Sequence, residues 1–139
     1  MITPHWEHFE HQADMGVRGF GNTPAEAFEQ TALAMSAIIT DLSLINPDDE
    51  VTITCDESDR ELLLADWLNA LIFEITTRNM LFSQFQVFIE KGHLKASAWG
   101  EPTNVKRHQP VVEIKGATYT ELSVFKSQDQ WIAQCVVDV

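Results

Sequence analysis

Two segments with helical periodicity lie among stretches that alternate like β-strands, and this arrangement constrains the fold most strongly. Thr23 can cap a helix, and Pro24 suits the first helical position because it lacks an N–H that would be unsatisfied there. Apolar residues then recur at three- and four-residue steps for about 16 residues. Ser58 and Glu61 open a second amphipathic helix, which we expect to end at about Arg78. The pattern predicts an α+β fold, with two helices packed on a mostly antiparallel β-sheet.

Alternating or apolar runs between turn residues predict the strands. A strand, a turn around Ala13 to Gly16 and a second strand are expected between Trp6 and Phe20. The other predicted strands are Val51 to Cys55, Phe82 to Glu90, His93 to Trp99, Val111 to Lys115, Thr118 to Phe125 and Trp131 to Val139. With 139 residues, no internal repeat and no linker rich in Gly and Ser, the chain is expected to form one domain over residues 1–139.

The charge is strongly acidic and unevenly distributed. The chain has 21 acids and 9 bases, for a net charge of −12. Residues 1–76 hold 15 acids and 2 bases, whereas residues 77–139 hold 6 and 7. This balance disfavours direct, tight binding to nucleic acid, which depends on basic side chains that contact phosphates. It suits a cation or a basic partner, and we expect the nine acids between Asp41 and Asp66 to form a solvated surface.

Cysteine usage and hydropathy favour the cytoplasm. Cys55 and Cys135 are far apart in apolar runs, so we expect reduced core residues rather than a disulfide framework or a zinc site. No stretch resembles a signal peptide or reaches the length of about 18 apolar residues typical of a transmembrane helix. The sequence therefore predicts a cytoplasmic protein without membrane contact.

Several common functional motifs are excluded by spacing. Gly16, Gly19 and Gly21 stand in the wrong order for a dinucleotide-binding fingerprint. The acids at 48–50 lack the alternating ligands and central glycine of an EF-hand loop. P-loop and nucleophile-elbow motifs are absent from the sequence.

Three histidines recur at every third position but do not predict a metal site. Successive side chains of a strand point to opposite faces, so His5 and His11 cannot share a face with His8. We expect His5 and His8 to be surface residues of a strand.

Two acids near the ends of predicted strands are candidate cation ligands. Asp14 precedes Gly16 at the end of the first strand, and Asp138 closes an apolar run. From periodicity alone, each is either exposed, bonded to the backbone or paired with a cation. If they meet in adjacent strands, they form a hard-oxygen site that suits calcium or magnesium. Lys115, just before Gly116, is by the same reasoning a solvated strand residue that pairs with Glu113.

Four blocks of sequence resemble the archease family in the expected order. The first, His11–Arg18 (HQADMGVR), resembles the family opening of His-Thr-Ala-Asp, a hydrophobic residue, Gly and a basic position. The others are Leu64–Leu71 (LADWLNAL), Glu113–Tyr119 (EIKGATY) and the ending Val136–Val139 (VVDV). Together these blocks span essentially the whole chain.

The resemblance implies a small α+β protein that assists RNA ligases of the RtcB type in tRNA splicing or RNA repair. Such proteins are not ligases; they promote guanylylation of the ligase and its multiple turnover. By resemblance, Asp14, Asp138 and a main-chain or terminal oxygen of Val139 correspond to the family's calcium-like site. Lys115 corresponds to a lysine that the family needs for activation.

Two departures and two alternative functions accompany this resemblance. Gln12 replaces the usual Thr, and Thr120 stands where many members have His. The first alternative is a metal-dependent phosphoester hydrolase, in which Asp14 and Asp138 hold the metal and Lys115 stabilises an anion. The second is a chaperone or interaction module that does not depend on a metal.

Overall fold

Both long helices form where the periodicity places them. The computed structural model describes residues 1–139, and its first helix, α1, is Pro24–Ile39, with Thr23 as the N-cap. The second helix, α2, is Arg60–Arg78. Its cap is Asp59 rather than Ser58, because the Asp59 carboxylate accepts hydrogen bonds from the first free N–H groups of the helix. Neither helix is long and apolar enough to cross a membrane.

The strands form two antiparallel sheets, which confirms the α+β class but divides the expected single sheet. The first sheet contains β1 (His5–His11), β2 (Asp14–Gly21), β6 (Gly116–Ala117), β7 (Ser123–Ser127) and β8 (Gln130–Asp138). Its order is β1-β2-β8-β6, and β7 also pairs with β8. The second sheet, in the order β3-β5-β4, contains β3 (Asp49–Asp56), β4 (Met80–Glu90) and β5 (His93–Pro102).

One cluster of 29 buried residues joins the sheets and the helices. Trp67 on α2 is fully buried and reaches both other layers. Its indole N–H donates to the carbonyl of Phe28 on α1 at 3.1 Å, and its ring meets the ring of Phe85 on β4 edge-on at 6.1 Å. Trp67 therefore anchors α2 to both α1 and β4.

Two predicted strands differ from the structure. Residues 111–115 form no strand, although their side chains do alternate between exposed and buried. The segment is instead hydrogen-bonded at its two ends. The N–H of Val111 donates to the carbonyl of Ile39, and the N–H of Lys115 donates to the carbonyl of Asp138. The strand expected from Thr118 is limited to β7, because the residues before it form turns. A short helix, α3 (Val105–His108), was not predicted in the polar stretch before residue 110.

The histidines of β1 point to opposite faces, as predicted. His5 is exposed and stacks on the ring of Phe20 at 4.3 Å. His8 is half-buried, and its Nε2 hydrogen-bonds to the carbonyl of Ala34 on α1 at 2.7 Å. The expectation of a surface position is therefore wrong for His8, because its face of the sheet packs against α1.

Both cysteines are free thiols inside the fold. Cys135 is buried and Cys55 is half-buried. Burial raises the pKa of Cys135 to about 12 and that of Cys55 to about 11, so both are protonated at neutral pH. Most acids between Asp41 and Asp66 are exposed, which confirms the predicted solvated surface.

Candidate functional site

Asp14 and Asp138 lie in neighbouring strands at one end of the first sheet. Asp138 ends β8, whereas Asp14 begins β2 rather than ending the first strand, because the turn lies at residues 12–13 and is shorter than expected. The last registered pair of these strands is Met15 with Val137, and continuing the antiparallel register by one residue sets Asp14 opposite Asp138. Opposed residues of an antiparallel pair have Cα atoms roughly 4.5 to 5.5 Å apart and side chains on the same face. The fold thus brings together two residues that are 124 positions apart in the sequence.

The two carboxylates have no protein partner. Asp14 is half-buried and Asp138 is exposed, and neither side chain takes part in an ion pair. Opposed like charges on one face of a sheet repel each other unless a cation lies between them. A pair of free carboxylates in this arrangement is therefore a suitable donor set for a hard divalent ion.

Further ligands must come from main-chain oxygens or water. The structure contains no group of three or more His, Cys, Asp or Glu side chains placed to hold a metal. His11 pairs with Asp14 across the β1–β2 hairpin, yet it does not complete such a group. Val139 follows Asp138 directly and packs its half-buried side chain against the core, which fixes the position of its main chain.

Lys115 lies beside Asp138, in a loop rather than in a strand. Its backbone N–H donates to the carbonyl of Asp138 at 2.8 Å. Its side chain is exposed and forms no ion pair, so the expected pairing with Glu113 is wrong. The reason is that residues 111–115 are not held in a pleated ladder. The backbone of Lys115 is thus held next to Asp138, while its exposed ammonium group has no ion-pair partner.

Asn69 supports this loop and was not singled out in the sequence. It lies on the exposed face of α2, and its Oδ1 accepts a hydrogen bond from the N–H of Ala117 at 2.9 Å. Only its position inside the resembling block Leu64–Leu71 pointed to it, since an exposed helical Asn carries no periodic signal of its own.

The two departures from the family pattern affect turns rather than the carboxylates. Gln12 adopts a left-handed conformation with φ of 54° in the β1–β2 turn, and its side chain is exposed. Thr120 is exposed, and its carbonyl accepts a hydrogen bond from the N–H of Val136. Neither side chain forms a hydrogen bond with Asp14 or Asp138.

A second polar cluster, missed in the sequence, anchors the chain before this site. The Glu101 carboxylate accepts from the Arg107 guanidinium at 2.6 Å, from the Asn46 backbone N–H at 2.8 Å and from the His108 ring at 2.9 Å. Since the N–H of Asn104 donates to Nδ1 of His108, the proton of the neutral ring lies on Nε2. The three donors, Arg107 first, lower the pKa of Glu101 to about 2. This cluster fastens α3 and the segment that leads to Lys115.

Comparison with known proteins identifies the family. The model of the Archease protein family (MTH1598/TM1083) matches residues 6–139. The chain belongs to the archease family. The archeases of Thermococcus kodakarensis and Pyrococcus furiosus are each 37% identical to it over 139 residues, covering 96% of this chain and 98% of theirs.

Solved archease structures share the fold. The solution structure of protein 1598 from Methanobacterium thermoautotrophicum superposes with a TM-score of 0.85 at 33% identity, covering 96% of this chain and 98% of that one. The crystal structure of a Thermotoga maritima archease, described as a possible chaperone, has a TM-score of 0.61 at 21% identity and 94% coverage of both chains. The archease fold therefore extends across the whole site described above.

Proposed function

We propose that this chain activates an RtcB-type RNA ligase by promoting guanylylation of the ligase and its multiple turnover, and that it does not catalyse ligation itself. The observation that carries the proposal is the position of Lys115. Its backbone is bonded to Asp138, the residue opposite Asp14, while its ammonium group has no ion-pair partner. These are the residues through which the sequence resembles the activating site of the family.

Asp14, Asp138 and a main-chain oxygen of Val139 would hold calcium or another hard divalent cation. All of these donors are oxygens, as such ions prefer, and water would complete the shell. When bound, the ion supplies the positive charge that offsets repulsion between the carboxylates. The two residues then fix the end of β8 against β2, and with it the main chain that holds Lys115.

The exposed Lys115 would contact the nucleotide site of the ligase. An ammonium group is a compact charge with three donors, and it suits the oxygens of a triphosphate. Because Lys115 is in no ion pair of its own, no existing contact must be broken before it binds an anion on the partner.

The acidic part of the molecule would face the RNA-binding surface of the ligase, which must be basic to hold RNA. With 15 acids and 2 bases, residues 1–76 complement such a surface. A partner-directed role also agrees with the description of the Thermotoga maritima relative as a possible chaperone.

Multiple-turnover joining of a 3′-phosphate RNA tests this proposal. The purified chain is added to a cognate RtcB-type ligase with GTP and manganese, and joined RNA is counted per ligase active site. We expect the chain to raise the count well above one. Unchanged ligase turnover would contradict the proposal, and so would breakdown of RNA or a phosphoester by the chain alone, which is the outcome for a hydrolase.

A further inference from the structure

We infer that Asn69 is a positioning residue for Lys115, and this inference rests on the proposed function. The starting point is β6, a strand of only two residues at the edge of its sheet. One side of β6 pairs with β8, and the other side has no neighbouring strand. The Oδ1 atom of Asn69 takes the place of the missing strand by accepting the N–H of Ala117 at 2.9 Å.

Three backbone N–H groups fix the loop around Lys115. The N–H of Lys115 donates to Asp138 at 2.8 Å, and the N–H of Thr118 donates to Val136 at 3.0 Å. Both of these acceptors belong to β8. Of the three bonds, the one from Ala117 to Asn69 ties the loop directly to α2.

Asn69 is held on a rigid part of α2. Its neighbours Leu68 and Leu71 are buried in the core, so this turn of the helix cannot move without disrupting the packing. The Asn69 side chain therefore holds the surface loop at a fixed position relative to the core. The same loop is bonded to Asp138 through the N–H of Lys115. Asn69 therefore links α2, through this loop, to the strand that carries Asp138.

The hydrogen bond between Asn69 and Ala117 lies at the surface. Its loss can therefore change the position of the Lys115 loop with little effect on the stability of the fold. When the acceptor is removed, water can take its place on the exposed N–H, so the cost to folding is small. The loop then keeps its bonds to β8 but loses its tie to α2, so the arrangement that presents Lys115 to the partner becomes less populated.

Three variants test the inference. Asn69→Leu keeps the size of the side chain and removes the acceptor, whereas Asn69→Asp keeps an acceptor oxygen at the same position. Thr77→Ala is the matched control, since this exposed residue of α2 bonds only within its own helix. Hydrogen exchange of the Ala117 amide is measured by NMR, together with the thermal midpoint and the maximal stimulation of the ligase.

We expect Asn69→Leu to accelerate exchange at Ala117 and to reduce maximal stimulation by about fivefold, the shift produced by losing one neutral hydrogen bond. Asn69→Asp and Thr77→Ala should retain the wild-type exchange rate at Ala117 and the wild-type stimulation, and no variant should lower the thermal midpoint by more than about 5 °C. Stimulation by Asn69→Leu equal to that of a stimulating wild-type chain would overturn the role of Asn69 alone. A wild-type chain that fails to stimulate the ligase would overturn the proposed function.

Discussion

Lys115 adds a charge to the surface without taking part in the packing of the fold. Since its side chain is exposed and unpaired, we expect Lys115→Ala to change the free energy of unfolding by less than about 0.5 kcal/mol. The same variant should lose most of the stimulation of the ligase, because the proposed contact with the nucleotide site is made by this ammonium group. Glu113→Gln, an exposed neighbour, is the control and should stimulate normally. Full stimulation by Lys115→Ala would rule out the role given to this residue.

Asp14 and Asp138 should link calcium to stability. Calcium at about 100 times its dissociation constant should raise the stability of the native chain by about 2.7 kcal/mol, because the ion binds only the folded state. Asp14→Asn and Asp138→Asn should abolish this rise, which calorimetry measures as the shift in midpoint on adding calcium. With a chelator present, both variants should be at least as stable as the wild type, since the repulsion between the carboxylates is gone.

The control for this experiment is Asp129→Asn, an exposed acid in the turn before β8. It should respond to calcium as the wild type does. An undiminished calcium shift in either Asp14→Asn or Asp138→Asn would show that the ion is held elsewhere.

At the scale of single residues, the sequence identified candidate site residues more reliably than it identified the residues they contact. Asp138 closes an apolar run, where a carboxylate is conspicuous, and Asp14 stands at a predicted strand end just before Gly16. The partner of Lys115 was wrong, because strand alternation placed Glu113 on its face although no strand forms there. Asn69 escaped notice since its function depends on a loop 48 positions away.

Among the elements, α2 is anchored in the core by one large side chain. Trp67 is fully buried and bonded to the carbonyl of Phe28. Trp67→Ala should cost about 3 to 5 kcal/mol in the free energy of unfolding, through the cavity and the unsatisfied carbonyl that it leaves. Urea unfolding measures this loss. Phe88→Ala, at a strand residue that is 61% exposed, should cost far less, and equal costs would contradict the burial.

The segment around α3 should weaken in acid. The pKa of Glu101 is about 2 in the folded chain, below its ordinary value of 4.5, because Arg107, Asn46 and His108 donate to the carboxylate. A lowered folded pKa stabilises the protein above the unfolded value, and this contribution is lost as the pH falls from about 4.5 towards 2. The stability difference between wild type and Glu101→Gln should therefore shrink between about pH 6 and about pH 3. Urea unfolding at both values measures it, and a constant difference would contradict the assignment.

Periodicity located the helices but overstated the strands. The steps of three and four residues placed α1 and the end of α2 at the observed residues. In residues 111–115 the alternation correctly indicates which side chains are buried, but burial does not require a strand partner. The cluster of Glu101, Arg107 and His108 lay in a stretch interpreted as a polar connection, because these residues meet only through the unpredicted helix α3 and their fourth partner, Asn46, is distant in the sequence.

The whole molecule has a net charge of −12, and residues 1–76 contribute almost all of the excess acids. If residues 1–76 steer the chain to a basic surface, salt should weaken the encounter. Between about 50 and about 500 mM potassium chloride, the concentration of the chain that gives half-maximal guanylylation should rise, while the maximum stays constant. Measuring without RNA removes the salt dependence of RNA binding by the ligase. A half-maximal concentration independent of salt would exclude steering.

The overall class followed from the sequence, whereas the division into two sheets did not. The order of helices and strands suffices for an α+β fold. The pairing of β2 with β8, which brings the two ends of the chain together, is a contact between distant residues that no local pattern encodes. Only the resemblance to archeases linked Asp14, Asp138 and Lys115 before the structure joined them.

The most direct measurement of the central claim is the initial rate at which labelled GMP is transferred from α-labelled GTP to the ligase, with release of pyrophosphate. Ligase alone, ligase with the wild-type chain, and ligase with Lys115→Ala or Asp14→Asn are compared in the absence of RNA. We expect the wild-type chain to accelerate guanylylation and both variants to leave it at the rate of ligase alone. Guanylylation at the same rate with and without the wild-type chain would contradict the proposed activation.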